Sequence, residues 1–275
     1  MKIGELSELF QISDQMIRYY EKIGFIHPTH DQNLYRDYRV SDVYDLLTYL
    51  KYSQLNVSRG RIEKIVKSDS LSQIKTVIDS TKKEVLSSIN DKQILYNYLS
   101  FLSKELSTAE LNEGLFWYEQ RSAVRYIDYS PTYTSQTEEF KCDNTDFTEW
   151  TKHMGICDSE LIFNIDGRYA INKMRWALTV SDDFASAVND PVFEKGKLYP
   201  PHIALVTVQK VEDDDQALKL AVKKSIGYAV GHRNILSGFV AAKVIAPFEK
   251  NHRKHYFYKI ILPIKTKPQS IGILP

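Results

Sequence analysis

The opening stretch of the chain places apolar residues at helical spacing in short runs. Ile3, Leu6, Leu9 and Phe10 follow one helix, Gln11-Ile12 marks a tight turn, and Ser13 is placed to cap a second helix running to about Glu21. Two short helices joined this tightly predict a helix-turn-helix. After Gly24 the helical period is lost. The segment from His27 to Val40 carries Pro28 and then alternates Tyr35, Arg36, Asp37, Tyr38 and Arg39 as a strand does, which predicts a β-ribbon wing. Ser41-Asp42 opens a third helix to about Ser53, and Ser58 a fourth to about Lys67.

From Leu71 the spacing becomes heptad. Leu71, Ile78, Val85, Lys92, Leu99 and Leu106 share one seam position, with Ile74, Thr81, Ser88, Leu95 and Leu102 at the other. No Pro or Gly interrupts this stretch, so it predicts a helical rod of about 60 Å, more than a small domain needs. The expected use is a dimer seam whose apolar ends meet partner surfaces, because Thr81, Ser88 and Lys92 weaken the middle of a long zipper. The alternative is a helix packed on its own domain.

The remainder carries one pattern twice. A strand near Ser122–Ser130 is followed by a helix around Asp146–Met154 and strands near Glu160–Asn164 and Tyr169–Val180. The second copy reads Ile203–Val211, a helix from Asp213 to Tyr228, then Phe239–Ala246 and Tyr256–Ile264. A doubled β-α-β-β unit predicts an α+β domain with two sheet halves and a shared cleft. The expected organisation is three segments: 1–67, 68–112 and 113–275.

Composition narrows the class. The 275 residues exceed one ordinary domain, and 36 Lys+Arg against 35 Asp+Glu leave a net charge of +1, so the chain reads as globular. No apolar run is long enough to cross a bilayer and Met1–Glu5 has acid where a signal peptide is apolar, so a cytoplasmic protein without membrane contact is expected. Cys142 and Cys157 lack a CxxC spacing and read as ordinary thiols. His252 and His255 sit in a basic loop with no completing ligand, and Glu212–Asp215 reads as a helix start that satisfies the dipole. No metal, cofactor or catalytic residue is expected; no Walker loop, GxSxG or HExxH sequence occurs.

The ordered set Ile3-Gly4-Glu5-Leu6, Ile12-Ser13, Ile17 through Ile26, Pro28, Tyr35-Arg36-Asp37-Tyr38 and Asp42-Val43 resembles the amino-terminal module of MerR-family transcription regulators. The physical reading agrees: a recognition helix needs short polar side chains in its first turn, supplied by Ser13, Asp14 and Gln15, while Arg18, Tyr19 and the wing residues Tyr35, Arg36 and Tyr38 suit the phosphate backbone. Tyr20 is assigned to the core. Asn33-Leu34 stands where the family usually has Asn-Gly, which predicts a longer or differently bent wing tip. Asn56 stands where Gly usually precedes the fourth helix, and Asn tolerates the left-handed region.

The doubled unit resembles the GyrI-like effector-binding domain of the multidrug-sensing, BmrR-like branch of that family. In that branch carboxylates in the last two strands help to neutralise lipophilic cations, and the spacing to Pro247 and Pro263 puts those positions on Lys243 and Lys259. A hairpin centred near Asn251 would set the two lysines opposite each other on an apolar face. They then need an anionic ligand, carboxylate partners such as Glu160 or Asp182, or an escape to solvent. The expected effector-binding residues are Trp176, Tyr199, Lys243 and Lys259.

The resemblance implies a homodimer paired through antiparallel helices. It implies binding to a pseudo-palindromic double-stranded promoter, which a small aromatic or amphipathic effector leads it to distort for RNA polymerase. Two alternatives stay open: a GyrI-like small-molecule hydrolase, disfavoured because Lys259 takes the place of the expected pocket acid, and a regulator without effector.

Overall fold

The structure, a computed structural model, describes residues 1–30, 35–129, 132–134, 137–141, 145–265 and 273–274. The chain divides into two compact units, Met1–Asn90 and Asp91–Pro275.

In the first unit α1 (Ile3–Phe10) and α2 (Asp14–Lys22) are joined by Gln11, which takes a left-handed conformation at φ 54°. The turn is held by Ser7 Oγ donating to the Ile12 carbonyl at 2.6 Å. Ser13 caps α2 by accepting the Met16 N–H at 3.3 Å. A short ribbon of β1 (Thr29–His30) and β2 (Arg36–Asp37) pairs Thr29 with Asp37 and His30 with Arg36. The Asn33-Leu34 tip lies outside the described residues. α3 (Val40–Gln54) begins on the buried Asp42, whose two oxygens accept the N–H groups of His27 and Arg39, each at 2.8 Å. One carboxylate thus fixes both the ribbon's entry and the helix start. Asn56, at φ 60°, turns the chain into α4 (Arg59–Val66). Leu6, Ile17, Tyr20, Tyr38, Leu46 and Ile62 form the centre of this unit's core.

α5 is one continuous helix, Leu71–Leu111. Its residues Ile74, Val77 and Ile78 pack on the core of the first unit. Within the second unit Ile94, Tyr98 and Ala109 pack on clusters of that unit. Val85, Leu86, Ile89, Tyr96, Leu99 and Leu106 are exposed.

The second unit continues with β3 (Phe116–Arg121), β4 (Val124–Tyr129), β5 (Thr132–Thr134), β6 (Thr137–Lys141), α6 (Thr145–Thr151), β7 (Asp158–Ile165), β8 (Ile171–Ser181) and α7 (Asp182–Val188). A 3-10 turn at Pro191–Lys195 leads to β9 (Lys197–Tyr199), β10 (His202–Glu212), α8 (Asp215–Gly231), β11 (Phe239–Lys250), β12 (Arg253–Pro263) and β13 (Ile273–Leu274). Among the described residues nine strands form one sheet, in the order β13-β3-β10-β12-β11-β7-β8-β4-β9, with every neighbouring pair antiparallel.

The central six strands mirror one another about the β7–β11 contact: β4, β8 and β7 on one side answer β10, β12 and β11 on the other. The structure adds β3, β9 and β13 as outer strands that the sequence pattern does not single out. Strand alternation sends Leu161, Phe163, Val240, Ala242 and Ile260 to the α8 side, and Ala241, Ile261 and Val206 to the opposite face.

Candidate functional site

In the first unit the capped start of α2 leaves Ser13, Asp14 and Gln15 exposed, with Arg18 one turn further along, also exposed. A single concave surface is lined by Lys2, Ile3, Arg18, Tyr35 and Arg36, so the ribbon and α2 offer basic groups side by side. Tyr35 is 66% exposed. Tyr19 is half-buried beneath the Arg59 guanidinium, 4.0 Å above its ring. Arg36 is partly spent within the unit, its Nε lying 2.8 Å from Glu21.

Tyr38 requires a correction. Its side chain is buried in the core and its hydroxyl donates to Glu21, so it braces α2 and cannot meet a phosphate. Tyr38 directly follows β2 and sends its ring into the core against α2, a placement the sequence pattern alone left unassigned.

In the second unit the hairpin turn at Asn251 and His252, both at positive φ, pairs Lys250 with Arg253, and a bulge at Ile245 shifts the register by one residue so that Lys243 meets Lys259. The expected juxtaposition of two ammonium groups on one face is therefore found. Glu105 of α5 reaches between them, with its oxygens 2.6 Å from Lys243 Nζ and 3.0 Å from Lys259 Nζ. Asp158 takes Lys243 at 2.8 Å and Glu119 takes Lys259 at 2.9 Å. The Lys243 ammonium also lies 5.3 Å from the centre of the Phe101 ring.

All three central side chains are almost wholly buried. Burial by itself pushes the Glu105 carboxyl up, but the two ammonium groups outweigh it and the net direction is down. Lys243 is the converse: burial pulls it down, Asp158 and Glu105 pull harder, and it stays charged.

Neither lysine is therefore a ligand-facing residue, which corrects their expected role. Carboxylates take them up, but not the two named from sequence. Asp182 belongs to Arg125. Glu160 faces Lys243 across the β7–β11 pair without a direct ion pair to it. The signal missed in the sequence is a second stripe on α5, Ile94, Tyr98, Phe101, Glu105 and Ala109, in which one acid interrupts apolar and aromatic residues.

On the same face, beyond Ala241 and Ile261, a small cavity of about 40 Å³ is lined by Arg121, Glu160, Arg175, Tyr199, His202 and Phe239 among others. Tyr199 packs edge-on against both His202 and Phe239, with ring centres 4.5 and 4.7 Å apart. Burial drives the Glu160 carboxyl up, against the lowering by Arg121 and Lys243 and with a further raise from Asp158.

Trp176 is not part of this cavity, a second correction. It pairs with Leu161, whose side chain joins the core on the α8 side, and it lines a separate cavity of about 280 Å³ with Tyr256 and Tyr258. A one-residue step in a strand exchanges faces, and sequence placed Trp176 near the cleft without fixing which face it takes.

Residues 2–38 match the description "MerR family regulatory protein". The matched segment is the one that forms α1, α2 and the ribbon. The chain is 50% identical over 46 residues to the HTH-type transcriptional regulator HmrR of Rhizobium leguminosarum bv. viciae. It is 37% identical over 67 residues to the Heavy metal-dependent transcription regulator 2 of Rhizobium meliloti (strain 1021).

These matches cover 17% and 24% of this chain and 36% and 46% of those relatives. Among the described residues no group of three His, Cys, Asp or Glu side chains is placed to hold a metal ion. Two solved structures show likeness: the EcmrR–DNA complex in EcmrR-RPo (16% identity, 96% of this chain and 99% of that one, TM-score 0.35) and SAV2435 bound to tetraphenylphosphonium (10% identity, 55% and 93%, TM-score 0.30). TM-scores this low establish no common architecture.

Proposed function

We propose that the chain is a homodimeric, DNA-binding transcription regulator in which 1–67 is a winged helix-turn-helix, 68–112 a dimerisation helix and 113–275 a GyrI-like effector-binding domain. The observation that carries the reading is the first unit's surface: the exposed polar first turn of α2 stands beside Arg18, and Arg18 shares one concavity with Lys2, Tyr35 and Arg36. A major-groove helix flanked by phosphate-binding groups needs this arrangement. The proposed DNA contacts are Ser13, Asp14, Gln15, Arg18, Tyr19, Tyr35 and Arg36.

The exposed residues Val85, Ile89, Tyr96, Leu99 and Leu106 follow heptad spacing along α5, which supports antiparallel pairing with a second copy. The mirrored strand order supports the reading of the second unit as a doubled β-α-β-β domain. Its effector cavity is then the one containing Tyr199 and Glu160. Effector binding acts on a pseudo-palindromic promoter by favouring a distorted DNA on which RNA polymerase can start. Footprinting on promoter DNA, with and without a panel of small molecules, tests this: an extended pseudo-palindromic footprint that ligand changes is expected, and protection that no ligand alters removes the effector half of the reading.

One observation favours a second reading. Lys259 holds the place of the expected pocket acid, but a different acid, Glu160, lines the cavity together with His202. Turnover of an ester or thioester panel by wild type, lost in Glu160→Gln, would support it.

A further inference from the structure

The cavity in the second unit has polar groups that the ion-pair network beneath it does not use. His202 Nδ1 lies 3.0 Å from the Pro200 carbonyl, which can only accept, so the ring donates there and its Nε2 carries the lone pair. That Nε2 is buried and has no hydrogen-bond partner among the described residues. Burial, aided by the charge of Arg121, holds the imidazole below its ordinary pKa against the pull of the Pro200 carbonyl, which keeps it a neutral acceptor. A buried acceptor left unpaired in a cavity wall calls for a donor from outside the chain.

Arg121 sits opposite His202 in the β3–β10 register, and its side chain is only 15% exposed. Its ion pair with Glu119 is 3.5 Å long, well beyond the roughly 2.7–2.9 Å of a charge-assisted hydrogen bond. Glu119 is committed more closely to Lys259. The guanidinium thus has donor capacity facing the same space.

The charge balance then selects a ligand. Lys243, Lys259 and Arg121 stand against Glu105, Asp158 and Glu119, which leaves the network neutral when Glu160 holds its proton. Arg175 lines the cavity as well, with its Nε 3.1 Å from Asp128, which Lys197 also meets at 2.7 Å. An entering cation would meet two guanidinium groups, and burial disfavours the charged form of Glu160 that could offset it.

We propose that this cavity takes a flat aromatic molecule, neutral or anionic, whose O–H or N–H donates to His202 Nε2 and whose carboxylate or carbonyl accepts from Arg121. The inference rests on the effector reading of the second unit and gives that reading a ligand class. The open space is small, so the molecule enters edge-on as the Tyr199 ring turns away from Phe239.

Calorimetry on the full chain with three probes of one shape tests it: 4-hydroxybenzoate, 4-fluorobenzoate and 4-hydroxybenzamidine. The hydroxybenzoate should bind about ten-fold tighter than either of the others, since one probe lacks the donor and the other reverses the charge. His202→Phe should abolish the preference for hydroxyl over fluorine while leaving carboxylate over amidinium. Equal or tighter binding of the amidine, a hydroxyl preference that survives in His202→Phe, or no binding of any probe at millimolar concentration each overturns the proposal. The wild-type comparison needs no variant to fold.

A parallel thermal-shift and footprinting screen that includes tetraphenylphosphonium separates the two levels. A cation that binds and changes the footprint overturns the ligand class and keeps the effector reading. If nothing of any charge binds, both are lost.

Discussion

Arg18 and Tyr38 lie close together in the amino-terminal unit, yet they have opposite uses. Arg18 is exposed beside the α2 turn, so Arg18→Ala should weaken binding to all DNA sequences alike and reduce the salt dependence by about one phosphate contact. Tyr38→Phe should leave DNA affinity unchanged and lower stability by about 1 kcal/mol, because it removes a buried hydrogen bond to Glu21 and nothing else. Gel shifts at several salt concentrations, with thermal melts, read both. A change in base preference at one position in Arg18→Ala would mean that it reads a base. In the second unit Glu105→Gln leaves two buried ammonium groups short of charge, and a loss of about 3–5 kcal/mol in denaturant unfolding is expected.

The two buried acids also differ in the sign of their pH dependence. Glu105 is depressed, so its contribution is present above the ordinary carboxylate range and is lost as pH falls through its folded value. Glu160 is raised: the folded state keeps a proton that the unfolded chain has released. Stability from this group is full below the ordinary carboxylate range and falls as pH rises through its folded pKa. Glu160→Gln should flatten that decline in melts run from acid to neutral pH, and an unchanged slope would place the titration elsewhere.

At the scale of elements, the hairpin between β11 and β12 shows what pattern can and cannot specify. The repeated Lys-apolar-Pro spacing and a turn centred near Asn251 point to Lys243 opposite Lys259, but the turn alone, pairing Lys250 with Arg253, would set Lys243 against Ile260, and a one-residue bulge supplies the difference. The bulge at Ile245, between Val244 and Ala246, was not legible, since one extra residue leaves no mark in a run of apolar side chains. His252 sits at φ 57°, a conformation that costs any residue with a Cβ, so His252→Gly should raise stability by about 0.5–1 kcal/mol. A loss in melting temperature would show instead that the imidazole supports the turn.

The helices of the amino-terminal unit were readable to within a residue or two. Their caps, Ser13 and Asp42, are local signals that do not depend on distant packing. Glu105 was hidden for the opposite reason. Its partners stand more than a hundred residues away in sequence, and on α5 alone an acid beside a heptad seam looks solvated. Face assignment failed at Trp176 because it lies in a strand where apolar and aromatic residues occupy both faces, and at Tyr38 because it follows the two-residue β2 and strand alternation does not set its side.

At the scale of the whole molecule, α5 contributes to both compact units and still has unburied apolar residues. Val85, Ile89, Leu99 and Leu106 are exposed at heptad spacing, more apolar surface in one line than a solvated helix carries. If this line pairs with a second copy, a fragment of residues 1–112 should sediment as a dimer and bind promoter DNA, and no effector should change its footprint. The same truncation uncovers Ile94, Tyr98 and Phe101, which the intact chain places beside aromatic rings of the second unit. A fragment held together only by that newly bared stripe would climb to larger species as concentration rises. The proposed seam stops at two. Sedimentation over a hundred-fold range of concentration distinguishes the cases, and Ile89→Lys in the full-length chain should give monomers with weakened DNA binding. If Ile89→Lys stays dimeric, or the wild-type fragment is monomeric throughout, the exposed line of α5 is not where two copies meet.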